Sequence, residues 1–225
     1  MTKLTIILPT LNEKENIENL IPVIEDTVPV KDFEIIIADG GSKDGTVDAA
    51  ENLDQKYGNI RVLKNTGDLG SSVLKGIKAS KGQYIIVMDA DFQHPPELIP
   101  KILDKLESGH DFVIASKYLE KESLRDWKVH RKIISRGASI IFKILFPSYY
   151  YVTDPMSGYF GFNRDILKGN MDKLSPRGYK IMLELLVICN PKNIVEISYK
   201  FGQRKYGHSK LGIRNIINYL IHVLD

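Results

Sequence analysis

Five short apolar runs dominate the first half of this 225-residue chain, and their spacing limits what it can fold into. They lie at Leu4–Leu8, Phe33–Ala38, Ile60–Leu63, Tyr84–Met88 and Phe112–Ala115. Each is short and bounded by Gly, Pro or Asp, and most are rich in Ile and Val, which is how strands buried on both faces read. Helical stripes lie between them: Ile17, Leu20, Ile21 and Ile24 in one, Leu98, Ile99, Ile102, Leu103 and Leu106 in another. This alternation predicts an α/β fold, a Rossmann-like, mostly parallel sheet with helices on both faces. Ligands of such sheets sit beyond the carboxyl ends of the strands, so function is sought in the residues just after each run.

The second half is less regular. The pattern predicts a basic helix from about Arg125 to Phe146, a turn-rich segment with a short strand over Asp154–Phe162, and a helix near Lys180–Ile188. A strand at Ile194–Phe201, a basic loop and an amphipathic helix from Gly212 onward follow. With no repeat or flexible linker, residues 1–225 read as one domain with a regular half over 1–116 and a specialised half over 117–225. Charge separates the halves. Residues 1–116 hold 12 Lys and Arg against 19 Asp and Glu, a net of −7, while 117–225 hold 19 against 9, a net of +10. Such a basic half suits an anionic partner, although a solvated basic face gives the same count.

The single Cys189 excludes an internal disulfide framework and suits a reducing, cytoplasmic setting. No run approaches the ~18 apolar residues of a membrane span, since Lys143 and Glu184 interrupt the best candidates. A soluble chain is expected.

Three of the strand ends carry carboxylates. Pro9-Thr10-Leu11-Asn12-Glu13 follows the first run, Asp39-Gly40-Gly41-Ser42-Lys43-Asp44-Gly45-Thr46 the second, and Asp89-Ala90-Asp91-Phe92-Gln93-His94-Pro95-Pro96-Glu97 the fourth. Singly these have bland explanations: Asn12 or Ser42 as helix caps, Asp89 and Asp91 as caps of a helix near Pro96. Together they gather negative charge at one edge, which repels itself unless a cation or hydrogen-bond donors answer it. A nucleoside diphosphate sugar would explain the residue types. Its leaving group gains charge as the glycosidic bond breaks, and a divalent cation stabilises that charge. Mg2+ or Mn2+ takes hard oxygen ligands, few of them from the protein, and Asp89, Asp91 and the Gln93 carbonyl form such a set. Asp39 and Glu13 are placed to accept hydrogen bonds from the ribose or base, with Pro9, Thr10 and Ala90 beside them.

These three motifs resemble glycosyltransferase family two, of GT-A fold. The likeness is longest to the polyprenyl-phosphate glycosyltransferases, dolichyl-phosphate mannose synthases among them. It extends through Asp154-Pro155-Met156-Ser157-Gly158-Tyr159-Phe160 and from Phe201 through Arg204 to Leu211. The resemblance implies a hexose, mannose first, carried from GDP-mannose to a polyprenyl or dolichyl phosphate at the cytoplasmic face of a membrane, with inversion. Glucose from UDP-glucose is the second donor. It further implies Lys117, Arg131, Ser135, Arg204, Ser209 and Lys210 as acceptor-phosphate residues, and Asp91, Arg131 and Arg204 as catalytic. Arg131 and Ser135, four apart on a helix, share a face. Two positions depart from the pattern: Gly40 replaces a frequent second aspartate, and Lys117 replaces an arginine and so grips without a planar fork. A phosphate acceptor, already largely a dianion, needs no general base. Where related enzymes often place a Glu-Asp pair, this chain has Asp154-Pro155-Met156-Ser157-Gly158.

Rival readings fit less well. The one tryptophan, Trp127, lies in no Gln-x-x-Arg-Trp motif, against a processive polysaccharide synthase. A nucleotidyltransferase would want a glycine-rich loop after the first run. A nucleic-acid-binding module gives no reason for three acidic strand ends, and a silent nucleotide-sugar sensor could dispense with Asp91 and Arg204. From Gly212, the residues Ile213, Ile216, Ile217, Leu220, Ile221 and Leu224 fall on one helical face, which predicts a surface helix on the membrane or the core.

Overall fold

The computed structural model of the chain describes residues 2–120, 129–175 and 181–202. Seven strands form one sheet: β1 (Leu4–Thr10), β2 (Phe33–Asp39), β3 (Ile60–Lys64), β4 (Tyr84–Val87), β5 (Phe112–Ser116), β6 (Phe160–Asn163) and β7 (Ile194–Ser198). Their spatial order is β3-β2-β1-β4-β6-β5-β7. All neighbours pair in parallel except β6, which runs antiparallel to both β4 and β5. The five expected strands are present, and the short strand expected after Asp154 is β6. Its insertion between β4 and β5 interleaves the two sequence halves, because a strand from beyond residue 117 separates two from before it.

Period-2 alternation divides the strand side chains between two cores. Leu4, Ile6, Leu8, Ile35 and Ile37 face α1 (Lys14–Thr27), α2 (Thr46–Tyr57) and α4 (Ile99–Glu107). Ile7, Ile36, Ile85, Phe112 and Ile114 face the other way, toward α3 (Leu69–Ala79), α5 (Val129–Leu145) and α6 (Ile181–Cys189). Helices thus cover both faces, as the alternation predicts. Two of them escape the sequence pattern. The buried residues of α2 are Thr46, Ala49 and Ala50, and α3 buries Gly70, Ser72 and Gly76 beside Val73, Leu74 and Ile77. Small side chains let these helices lie close to the sheet but leave a faint apolar stripe.

The edge opposite the expected ligand site is tied by a polar cluster. Glu34 accepts from Thr5 Oγ1 at 2.8 Å, from the Lys81 backbone at 2.6 Å, and from Arg61 Nε and Nη2 at 3.0 and 2.7 Å. It is 7% exposed. Removing the carboxylate strands the Thr5 and Lys81 donors and unpairs Arg61, the mechanism that makes half of a buried pair costly to delete. Because Arg61 keeps some access to water, Glu34→Ala is expected to cost about 3 kcal/mol, at the lower end of that range. Urea unfolding measures it, and a loss below about 1 kcal/mol, the size of a single surface contact, would show that the cluster contributes little.

Candidate active site

Strand order reverses at β1, which has β2 on one side and β4 on the other, so the crevice lies past the carboxyl ends of these three strands. Thr10 ends β1 opposite Asp39, the last residue of β2. The Asp39 carboxylate is buried and accepts from the backbone of Gly41 and Ser42, each at 2.9 Å, from Thr10 Oγ1 at 3.1 Å, and from Ser42 Oγ. A carboxylate offers about four acceptor sites, so Asp39 already spends its full set on shaping its own loop. A further donor reaches it only by replacing the Thr10 or Ser42 hydroxyl.

Neither Asn12 nor Ser42 caps a helix. They lace the first loop to the second: Asn12 N–H donates to Ser42 Oγ at 2.8 Å, and Lys43 N–H to Asn12 Oδ1 at 2.7 Å. Asn12 adopts a φ of 52°, a left-handed conformation that asparagine tolerates better than most residues. The Glu13 backbone donates to Thr46 Oγ1 at 3.0 Å, and its carboxylate accepts from Asn16. Asp44 accepts from Thr46 Oγ1 and from Lys14 N–H and Thr46 N–H, the last two at 3.0 Å each, and burial of its carboxyl is outweighed by these bonds, the Thr46 hydroxyl first, which hold its pKa below the ordinary value.

After β4 the chain turns through Asp89 to Gln93. Phe92 has a φ of 62°, an uncommon conformation for a bulky residue. The bend lets Asp91 Oδ1 accept from Gln93 N–H at 3.1 Å. Asp91 is 3% exposed, whereas the Asp89 side chain is 43% exposed, so one carboxylate is buried and the other meets solvent. Neither carboxylate caps the turn at Pro96–Leu98. The Gln93 main-chain carbonyl accepts from Gly202 N–H at 3.0 Å, which uses one of its two lone pairs.

His94 has a place that the sequence did not reveal. Its Nδ1 accepts from the Asp89 backbone at 2.9 Å, and its ring stacks on Tyr159 at 5.0 Å, with Tyr199 and Phe201 edge-on at 6.0 Å. Full burial pulls its pKa down to about 4 against the opposing charge of Asp91, so the ring is neutral near pH 7. The 3.8 Å approach of Nδ1 to Asp89 Oδ2 is therefore not an ion pair. His94 acts as an apolar post with one acceptor, fixing the start of the acidic loop.

Because β6 runs antiparallel, the segment before it arrives at the same edge where β4 and β5 end. Ser157 Oγ donates to the Ala115 carbonyl at 2.7 Å. A Cβ built on Gly158 would lie 3.1 Å from His94 Cε1 and 3.4 Å from Asp89 Oδ2, so this position has room for glycine alone without displacing its neighbours. On β7, Glu196 accepts from the backbones of Thr153 and Asp154 at 2.8 and 3.0 Å, and from Thr153 Oγ1 at 3.0 Å. Burial raises its pKa against those three bonds.

Lys117, just past β5, pairs with Asp154: Nζ lies 2.6 Å from Oδ2, with Lys117 6% and Asp154 0% exposed. Next to it, the Tyr118 hydroxyl donates to Ser135 Oγ on α5 at 2.6 Å. A groove of roughly 280 Å³ runs along this side, lined by Tyr118, Arg136, Ser139, Ile140, Lys143 and Thr153. Beyond it Ile144, Tyr150 and Tyr151 are exposed. The structure therefore brings together Pro9, Thr10, Glu13, Asp39, Asp89, Ala90, Asp91 and Gln93 along one edge, with Lys117 and Ser135 on its flank. Arg131 belongs to α5, but its side chain lies outside the described residues. So do Arg204, Ser209, Lys210 and the helix expected from Gly212.

Among the described residues no three His, Cys, Asp or Glu side chains form a metal-binding group. The all-oxygen set of Asp89, Asp91 and Gln93 still fits Mg2+ or Mn2+, which take much of their shell from phosphate and water.

A family model described as glycosyl transferase family 2 matches residues 5–170. A dolichol-phosphate mannosyltransferase of Pyrococcus furiosus is 37% identical over 223 residues, 98% of this chain but 62% of that protein, so the chain spans less than two thirds of that relative. One from Saccharomyces cerevisiae is 36% identical over 228 residues, 96% of this chain and 84% of that protein. Among solved structures, glucosyl-3-phosphoglycerate synthase from Mycobacterium tuberculosis, in complex with Mn2+, UDP and glucosyl-3-phosphoglycerate, aligns with a TM-score of 0.68. It is 20% identical, over 99% of this chain and 80% of that one, a likeness that establishes the GT-A fold. With the family model matching most of its length, this chain belongs to glycosyl transferase family 2.

Proposed function

We propose that the chain transfers mannose from GDP-mannose to a polyprenyl phosphate, inverting the anomeric carbon, at the cytoplasmic face of a membrane. The names of the relatives support the reaction. The observation in this chain that carries the acceptor class is the state of Asp154, the one carboxylate of the 153–158 segment. Asp154 is buried against Lys117 and so is not a free base. A sugar-hydroxyl acceptor needs such a base, whereas a phosphate monoester with a second pKa near ~6 is already charged.

Asp89, Asp91 and Gln93 would hold the divalent cation, which when bound would neutralise charge on the leaving diphosphate. Pro9, Thr10, Glu13, Asp39 and Ala90 would line the nucleoside side. Ser135, joined by Arg131, Arg204, Ser209 and Lys210, would grip the acceptor phosphate. Lys117, already neutralised by Asp154, adds no net charge to that grip.

A membrane surface suits the flank beyond the groove. Ile140, Ile144, Tyr150 and Tyr151 are exposed there, and Lys143 Nζ lies 5.3 Å from the Tyr150 ring centre. Apolar bodies with polar tips and a lysine able to snorkel are the composition of an interfacial patch. Among the described residues no helix is long and apolar enough to cross a bilayer.

A donor screen tests the reading: GDP-mannose and UDP-glucose, each with a polyprenyl phosphate, with Mg2+ or Mn2+ and with excess chelator. Transfer from GDP-mannose that chelator abolishes is expected. Transfer from UDP-glucose instead would replace the donor, and binding without transfer would reduce the chain to a nucleotide-sugar sensor. Short soluble and vesicle-borne acceptors in the same screen probe the surface role, which predicts faster use of the vesicle-borne form.

A further inference from the structure

Asp39 cannot read a base without giving up a bond that shapes its own loop, because its acceptor sites are spent. The residue beside it is differently placed. Asn65 follows β3, and its backbone N–H donates to the Asp39 carbonyl at 2.7 Å, so Thr10, Asp39 and Asn65 succeed one another along the strand-end edge. The Asn65 side chain is half-buried, and its amide is held in one orientation. Nδ2 donates to Ser71 Oγ at 2.9 Å and to Ser72 Oγ at 3.0 Å, both in the first turn of α3, which takes up both of its hydrogens. The two serine hydroxyls send their own protons to the Asp68 carbonyl, at 2.8 and 3.1 Å, so they meet Asn65 as acceptors.

The amide oxygen is left over. Asn65 Oδ1 has no hydrogen-bond partner among the described residues, and it is not one of the buried unpaired oxygens, so it meets solvent. With both N–H groups turned into the protein, the side chain presents an acceptor and no donor. Gly40 and Gly41 lie between it and Leu11. A Cβ built on Gly41 would lie 3.9 Å from the Asn65 carbonyl oxygen, and one on Gly40 3.9 Å from Leu11 Cβ. Because that stretch of backbone carries no side chain, a planar ring can approach it closely, with the exposed Leu11 to one side and Asn65 to the other.

Bases differ in what they offer a lone acceptor. Guanine presents two adjacent donors, N1–H and the 2-amino group. Uracil presents one N–H between two carbonyl oxygens, and both of those repel an acceptor placed beside it, a penalty that selects against the wrong partner. We propose that Asn65 is the base-reading residue of this chain, its Oδ1 accepting from the guanine edge of a guanosine diphosphate sugar and disfavouring uridine diphosphate donors. The proposal rests on the reading of the chain as a nucleotide-sugar transferase and adds the residue that selects the base.

Calorimetric binding of GDP and UDP to the full chain with Mn2+ tests it without turnover. The native protein is expected to bind GDP about tenfold or more tightly than UDP. Asn65→Ala should weaken GDP about five- to tenfold, the net worth of one hydrogen bond, and leave UDP within about twofold. Asn65→Asp keeps an outward oxygen, and the serine hydroxyls can rotate to serve the inward one, so its preference for GDP should persist. A brace for α3 would behave otherwise. Equal weakening of both nucleotides in Asn65→Ala would overturn the proposal, as would a native protein that binds them equally or prefers UDP. Should Asn65→Ala fail to fold, inosine diphosphate and N1-methyl-GDP each remove one guanine donor and carry the test on the native protein. At least one should bind about fivefold or more weakly than GDP, and full affinity for both would overturn the proposal. GDP preference without sugar transfer would sink the transferase reading and leave the base reader standing, whereas binding of neither nucleotide would remove both.

Discussion

Asp91→Asn is expected to lower turnover about a thousandfold while the protein stays folded, the scale seen when one preorganised electrostatic partner of a transition state is removed. The asparagine carbonyl can still accept from Gln93 N–H, the bond that the carboxylate makes at 3.1 Å, so the turn through Phe92 keeps its shape. What would disappear is one negative charge from the set proposed to hold the cation. Asp91 is also the more deeply buried of the two carboxylates. Steady-state turnover with saturating Mn2+, read beside a thermal melt, separates lost chemistry from lost fold. Activity within tenfold of native, or full native activity in excess chelator, would remove the Asp-x-Asp loop from the reaction.

A second large effect is expected from a residue that carries no chemistry. A Cβ on Gly202 would lie 2.5 Å from the Phe92 carbonyl oxygen and 3.3 Å from Gln93 Cα, both main-chain atoms. That loop is poorly able to yield, because Phe92 already occupies a costly conformation. Gly202→Ala should therefore push the segment after β7 off the acidic loop and break the 3.0 Å bond from Gly202 N–H to the Gln93 carbonyl. A displacement of about 1 Å at a reacting centre can cost about a hundredfold, and a loss of that order in kcat/KM is expected. Phe92 and Phe201 pack against the first core, so a thermal melt read beside kcat/KM separates lost alignment from lost stability. A variant with native efficiency would show that Gly202 and the basic stretch beginning at Arg204 act independently of Gln93.

The sheet and its ligand edge were legible because they rest on local signals. Ile35, Ile36 and Ile37 announce a buried strand, and Asp39 stands after it whatever the distant chain does. The acidic loops could be read as chemistry for the same reason. Contacts made across long separations could not. Lys117 meets Asp154, and Tyr149 meets Leu186, each across 37 positions; Thr153 meets Glu196 across 43, and Gln93 meets Gly202 across 109. A Glu at 196, within an apolar strand, looks like any solvent-facing residue until the 153–154 backbone is seen to end on it. His94 was part of a quoted motif, but the three aromatic rings that make it a neutral post come from 159, 199 and 201.

The antiparallel β6 has a consequence for how the chain is made. During synthesis, residues through β5 emerge while β4 is paired only to β1, so its other edge, Tyr84–Val87, shows unsatisfied backbone groups. β5 cannot close that gap, because it joins the sheet only through β6 on one side and β7 on the other. The nascent first half thus carries an open, strongly apolar strand edge until residues 160–163 arrive, the kind of edge that recruits other chains. The same late strand brings Gly158 against Asp89. The acidic loop gains its wall at the moment the edge is sealed, so an incompletely synthesised chain displays its carboxylates without the Gly158 segment that backs them.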